Sequence, residues 1–285
     1  MDIGVGLPTT VPDVDGPALI DWARRAETYG FASLGVLDRL VYDNYEPLIA
    51  LTAAAAVTER IRLMTSILLA PYRPSVPLLA KQLATLDQIA RGRLVLGVAA
   101  GGRADDFLAT GADYTDRGAR LDALLDELRA VWAGAGPVPG IGPAPVKSTL
   151  PLVVGGHSPA AMRRAAATAE GWIAGGSSAA GYAALVSAAR EQWALAGRMD
   201  RPRMYSLAYV SLGPGGREQA EHYLRAYYAF IGAKADRAAA GTITTAAQLR
   251  DTISGYAEVG CDELLLFPCT AAPGQLDLLA EAALS

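Results

Sequence analysis

Short apolar runs alternate with longer amphipathic stretches along this chain, and the alternation is regular enough to predict an architecture. Eight runs rich in Val, Ile, Leu and Tyr read as strands, at residues 3–7, 33–37, 62–69, 93–98, 152–154, 172–174, 205–212 and 263–267. The segments between them carry apolar residues at helical spacing. In "DGPALIDWARRAETYG", Leu19, Ile20, Ala23 and Ala26 share one side, Pro17 suits a first turn and Gly30 ends the helix. The spacing recurs in "YEPLIALTAAAAVTER", "SVPLLAKQLATLDQIARG" and "RGARLDALLDELRAVWAG", and later helices are predicted to start near Pro159, Gly181, Gly216, Thr245 and Gln275.

The early strands recur about every 30 residues, the length of one strand-plus-helix unit. Such alternation implies parallel strands covered by helices. Eight units predict a closed α/β barrel of the (β/α)8 TIM type, a single domain over residues 1–285, with an open doubly wound sheet as the alternative. Two stretches break the rhythm. Residues 134–151, "GAGPVPGIGPAPVKSTLP", are rich in Gly and Pro and read as an excursion within the domain. Residues 213–260 hold enough helical sequence for two helices before the last strand, an insertion of the kind that covers a barrel mouth.

Composition narrows the class. Over 285 residues, 52% hydrophobic and 19% charged content describes a globular chain with a sizeable core. A net charge of −4 offers no basic surface to a nucleic-acid backbone or an anionic membrane. "MDIGVGLPTT" has none of the basic start of an export signal, and the alanine-rich runs are broken by charges, so a cytoplasmic protein is expected. Cys261 and Cys269 are too few for a disulfide framework, and with His157 and His222 they have no metal-ligand spacing.

In a (β/α)8 barrel, chemistry sits at the C-terminal strand ends. Those ends read Pro8-Thr9-Thr10, Asp38-Arg39, Ala70 to Arg73, Ala99 to Arg103, Gly155-Gly156-His157-Ser158, Gly175-Gly176-Ser177-Ser178, Gly213-Pro214 and Pro268-Cys269. Three carry paired glycines, which suits a large flat ligand approaching the backbone, and acid–base side chains are few. Ser158 is a good N-cap and Pro159 a good first helical residue, so "GGHSP" is either an anion site at a helix start or an ordinary turn. No hydrolase nucleophile elbow or Walker loop occurs, and "GVGLPT" is a weak dinucleotide fingerprint. Chemistry borrowed from a cofactor is the remaining expectation.

The stretches "AETYGFASLGVLDRL", "ERIRLMTSILLAPYRPSVPLLAKQLATLDQIARGRLVLGVAAGG", "DYTDRGARLDALLDELRAVW" and "LVVGGHSPAAMRRAAATAEGWIAGG" carry a resemblance in their order and spacing. Together they resemble the bacterial luciferase-like family of flavin- and deazaflavin-dependent oxidoreductases, over nearly the whole chain. The resemblance implies the (β/α)8 fold and FMN as cofactor, with the deazaflavin coenzyme F420 as the alternative. It implies a cis peptide at Ser66–Ile67 against the cofactor ring, with Ala99 and Gly155 nearby. Gly156, His157 and Ser158 would hold the cofactor phosphate, with Gly175, Gly176 and Ser177 as neighbours.

Two departures from the family pattern limit the transfer. Asp38 is followed by Arg39 where many relatives have histidine, so no histidine base is assigned. Ala100 stands where the luciferases have a phosphate-holding arginine, and Arg103 is the candidate substitute. Asp38 and Arg39 are the catalytic candidates; Tyr42, Tyr72 and Arg73 are candidates for contact with substrate. Arg117 and Arg120 are expected in structural ion pairs, His222 on the surface, and Tyr227, Tyr228 and Phe230 in the core or a dimer contact. The first functional reading is a monooxygenase acting on a small organic substrate, with reduced FMN from a separate flavin reductase and O2. The second is F420-dependent hydride transfer, and a third, from another class, is a non-catalytic flavin-binding protein. A homodimer is expected, with the face around Ala53–Ala56 as one place where a partner would pack.

Overall fold

In the computed structural model, residues 1–176, 178–232 and 234–284 are described. Eight parallel strands close into a barrel in sequence order: β1 (Asp2–Gly6), β2 (Ser33–Val36), β3 (Arg62–Thr65), β4 (Leu94–Val98), β5 (Leu152–Gly155), β6 (Gly171–Gly175), β7 (Arg203–Val210) and β8 (Glu263–Pro268). Asp2 pairs with Glu263, which closes the barrel between β1 and β8. The open-sheet alternative is thereby excluded.

The helices are α1 (Gly16–Tyr29), α2 (Pro47–Ala55), α3 (Val76–Ile89), α4 (Ala104–Thr110), α5 (Arg117–Trp132), α6 (Pro159–Thr168), α7 (Ala179–Leu195), α8 (Gly216–Tyr227), α9 (Lys234–Ala240), α10 (Ala246–Glu258) and α11 (Gln275–Leu284). Their starts carry the predicted signals. Ser158 accepts from Ala161 N at the head of α6, and Thr245 forms a capping box with Gln248 at the head of α10.

Because successive strand residues face opposite sides, the core divides in two. Leu34, Leu63, Leu96, Val154 and Trp172 face outward against the helices. Met64, Val95, Val153, Ile173, Tyr205 and Leu265 fill the interior, and their cluster continues upward through Tyr209 and Phe267 to Tyr223, Leu224 and Tyr227 of α8. At the N-terminal end, buried Glu263 takes Arg62 at 2.8 Å and Arg203 at 3.0 Å, and Arg62 also reaches Asp2 at 2.8 Å. Those ion pairs lie at the face that serves stability in this architecture.

Three expectations need correction. The third apolar run reads as one strand to residue 69, but β3 ends at Thr65. The Ser66–Ile67 peptide is cis, and pairing resumes with Leu68 bridging Val98. β7 begins and ends two residues earlier than its apolar run, because Arg203 pairs with Gly171. Among the described residues of 213–260 there are three helices, α8 to α10, plus a 3-10 turn at Ala229–Ile231, where sequence for two helices was expected. The Gly/Pro-rich residues 134–151 form no helix or strand and lie along α3: Lys81 and Gln88 donate to Gly142 O and Ala144 O, at 2.6 and 2.8 Å.

Candidate active site at the barrel mouth

The two glycines of the fifth strand end do different work. A Cβ on Gly155 would lie 2.3 Å from Ile67 Cδ1, so this glycine makes room for a neighbouring side chain inside the barrel. Gly175 does the same for Leu207, at 2.4 Å. The second glycine of each pair turns the chain outward with a positive φ, +131° at Gly156 and +75° at Gly176. Gly155 and Gly175 are thus packing positions, while half-buried Gly156 and exposed Gly176 leave the backbone without a side chain.

That bare backbone is held in place. Gly156 N donates to Ile173 O at 3.2 Å, and buried Trp172 donates its indole N–H to Gly156 O at 2.9 Å. His157 and Ser158 follow on the surface at the head of α6. Ser178 heads α7 on the adjoining strand end, accepting from Gly181 N at 3.2 Å; Ser177 lies outside the described residues. Both serine oxygens act as acceptors in their caps, which leaves each hydroxyl proton to donate. Two neighbouring helix starts with two such hydroxyls form a rim suited to an anion.

Beside this rim runs a ridge. Ser66 is buried with its N–H on Val36 O at 2.8 Å, and Ile67 lies across the ends of β4 and β5, in reach of both Gly97 and Gly155. Ala99, half-buried, donates to Leu68 O at 3.0 Å, so the ridge is pinned to β4.

Asp38 holds the ridge from the other side. Its side chain is 1% exposed and accepts from Leu69 N at 2.7 Å, Tyr72 OH at 2.7 Å and Arg73 Nη1 at 2.8 Å. Three of the predicted site residues are thus brought together, but as a closed clamp. Burial and the adjacent carboxylate push the Tyr72 hydroxyl pKa far up, and against the cost of burial the Asp38 carboxylate raises the Arg73 pKa. In this arrangement the polar atoms of Asp38, the catalytic candidate, and of Tyr72, a candidate for contact with substrate, are committed to one another and to Arg73 and Leu69 N.

The remaining side of the mouth is covered. α8 and the turn after it lie over β7, β8 and β1, where Tyr223 OH meets Thr10 Oγ1 at 2.6 Å and Tyr209 OH meets Tyr228 OH at 2.8 Å. Arg39 is the latch between this cover and the second strand end. It donates to Tyr227 O and Val41 O and stacks on Tyr42 at 4.2 Å and Tyr227 at 4.8 Å. Burial and the Arg103 charge lower the Arg39 pKa, while burial lifts the hydroxyl pKa values of Tyr209, Tyr223 and Tyr227 well above their usual range. Asp106 of α4, fully buried, accepts from Leu40 N and Val41 N at 3.1 and 2.7 Å, tying the fourth strand end to the second.

A family model described as luciferase-like monooxygenase matches residues 1–261. The chain belongs to the luciferase-like monooxygenase family. Within reach of this family assignment, an uncharacterized protein of Mycobacterium tuberculosis is 32% identical over 189 residues, which cover 55% of this chain and 65% of that one. An F420-dependent glucose-6-phosphate dehydrogenase of Nocardia farcinica is 30% identical over 149 residues, 47% of this chain and 43% of that one. The matched stretches thus span about two thirds or less of those relatives. In fold, the chain resembles a monooxygenase from Streptomyces bottropensis with TM-score 0.83 and 22% identity, over 100% of this chain and 99% of that one. It also resembles an F420-dependent secondary alcohol dehydrogenase with TM-score 0.81 and 18% identity, over 99% and 97% of the two chains.

For this luciferase-like chain, several features were invisible to sequence reasoning. The contacts of Asp106 with Leu40 and of Thr10 with Tyr223 join positions far apart in sequence, and Phe230, expected in the core or a dimer contact, is 44% exposed beside Arg103. Arg117 and Arg120 are structural as expected, although Arg117 binds the Gly101 and Tyr114 carbonyls where an ion pair was expected. His222 is exposed, and Tyr227 and Tyr228 form the cover. Ala54 and Ala55 are buried within the chain's own core.

Proposed function

We propose that this chain is a monooxygenase that binds reduced FMN at the barrel mouth and uses O2 to oxidise a small organic substrate beneath the α8 cover. The observation that carries this reading is the tyrosine-rich cover over the mouth, beside which Asp38 is buried with three donors and Asp106 is buried with two backbone N–H groups on Oδ1. Chemistry of this kind needs exclusion of water more than a dedicated acid or base. The residues present fit an FMN-type group. Gly156 and Gly176 leave bare backbone, and no atom lies within 4 Å of where a Cβ on Gly176 would be.

Such a cofactor, when bound, supplies two-electron chemistry at its ring. This chain's own part is to hold and shield. Gly156, His157, Ser158 and the head of α7 would take the phosphate, and Ile67, fixed by Asp38 and Ala99, would support the ring. Tyr42, Tyr209, Tyr223 and Tyr227 would keep the substrate side dry. A separate flavin reductase would supply the reduced cofactor.

A second reading, F420-dependent hydride transfer, is favoured by the named activity of the Nocardia farcinica relative. Both readings share the phosphate rim and the ridge. Parallel fluorescence titrations with FMN and F420, followed by O2 uptake on addition of substrate candidates, separate them. Preference for reduced FMN with O2 consumption supports the monooxygenase. Preference for F420 without O2 consumption replaces it.

A further inference from the structure

Two guanidiniums under the cover have more donors than acceptors. Arg39 is 8% exposed and Arg103 7%, yet Arg39 Nε and Arg103 Nε and Nη1 have no hydrogen-bond partner among the described residues. Arg103 does pair with half-exposed Asp105, and its Nε faces buried Asp106 Oδ2 at 3.4 Å, an acceptor that itself has no hydrogen-bond partner among the described residues. Buried donors without acceptors are costly and rare, so Arg39 Nε and Arg103 Nη1, which face no acceptor among the described residues, ask for a partner.

What stands against them is an aromatic ring. Phe230 lies 4.1 Å from Arg103 Cζ and 5.7 Å from Arg39 Cζ. A ring face attracts a cation but accepts no directed hydrogen bonds, whereas a carboxylate or phosphate oxygen gives short charge-assisted ones. Phe230 is also placed to leave. It is 44% exposed, in the 3-10 turn Ala229–Ile231, and is followed by Gly232 at φ +59° and ψ −136°, a backbone setting that suits glycine.

We infer that Arg39 and Arg103 form the anion-binding pair for the substrate, that the substrate carries a carboxylate or phosphate, and that Phe230 occupies the pair until it arrives. The inference rests on the mouth being the oxidoreductase site proposed above. It assigns the arginines a ligand distinct from the cofactor, whose phosphate has its own rim at the heads of α6 and α7.

Benzoate and phenyl phosphate serve as probes on the full chain, by calorimetric titration with and without saturating FMN or F420. Binding of either identifies the anion class. Arg103→Gln and Arg39→Gln should each weaken the probe by about tenfold or more while leaving cofactor affinity within about twofold. Phe230→Ala should bind the probe more tightly, by several-fold, which loss of structure cannot mimic; circular dichroism checks each variant's fold. Cofactor binding with no probe binding in either the parent or Phe230→Ala overturns the inference alone. Equal loss of cofactor and probe in the arginine variants overturns it too, because the pair then serves the cofactor. Absence of any cofactor binding overturns the oxidoreductase reading and this inference with it.

Discussion

The two sides of the barrel mouth are built from opposite materials. From β4 to β6 the rim is backbone: Gly156 and Gly176 turn with positive φ, small residues surround them, and helix starts point N–H groups outward. From β7 round to β2 it is side chain: a stack of tyrosines, closed by Arg39 against Tyr42 and Tyr227. Backbone makes a rigid seat that changes little with its occupant, which suits one common cofactor group. Side chains on an inserted segment make a cover that can differ between relatives, which suits substrate choice. The Ile67 ridge divides the two, and Asp38 is the strut behind it.

The comparison can be broken most forcefully at that strut. Asp38→Ala leaves Arg73, Tyr72 and Leu69 N without their shared partner and should cost about 3–5 kcal/mol in urea unfolding. A variant of parental stability that lost only turnover would make Asp38 a reacting group after all. On the backbone side, Gly155→Ala forces a Cβ to 2.3 Å from Ile67 Cδ1 and should cost about 1–3 kcal/mol in stability. Full tolerance there, seen as unchanged unfolding and cofactor affinity, would mean Ile67 does not define the ridge. Trp172→Phe removes the donor to Gly156 O and should cost about 1 kcal/mol, read in the same melts, with a weaker cofactor complex.

The smallest effect at neutral pH separates the sides by titration. Tyr209, Tyr223 and Tyr227 hold their protons in the folded chain well past pH 10.0, chiefly because of burial, whereas the unfolded chain releases them there. Their contribution is therefore complete below pH 10.0 and shrinks as pH rises beyond it. Limited proteolysis above that pH should cut first between Gly213 and Gly232, in the cover, and leave the α6 head intact. Equal susceptibility of both sides would contradict the division.

The barrel was legible because its evidence is local. Each strand is a short apolar run, and each helix carries its own face, cap and stop, so eight units can be counted without knowing how they meet. The cis peptide at Ser66–Ile67 was expected from the family resemblance, while the end of β3 at Thr65 was not, since the apolar run continues through it. The rim at the heads of α6 and α7 was half legible: "GGHSP" announces a helix start, but only the packed barrel tells Gly155 from Gly156. The cover was hardly legible at all. Arg39 meets Tyr227 across 188 positions, Thr10 meets Tyr223 across 213, and Asp106 meets Leu40 across 66. No local pattern encodes such pairs. Asp38 shows the complementary case: a carboxylate at a strand end reads as a catalytic candidate, and its three donors come into view only in the fold.

The most direct test of the divided mouth is cofactor affinity in three proteins: the parent chain, Gly156→Val and Phe230→Ala, each titrated with FMN and with F420. The account predicts that one of the two coenzymes binds the parent at micromolar levels or better. Gly156→Val, which burdens the backbone seat, should lose that binding, and Phe230→Ala, which opens only the cover, should keep it. Binding that survives Gly156→Val but fails in Phe230→Ala would place the cofactor under the tyrosines and contradict the account.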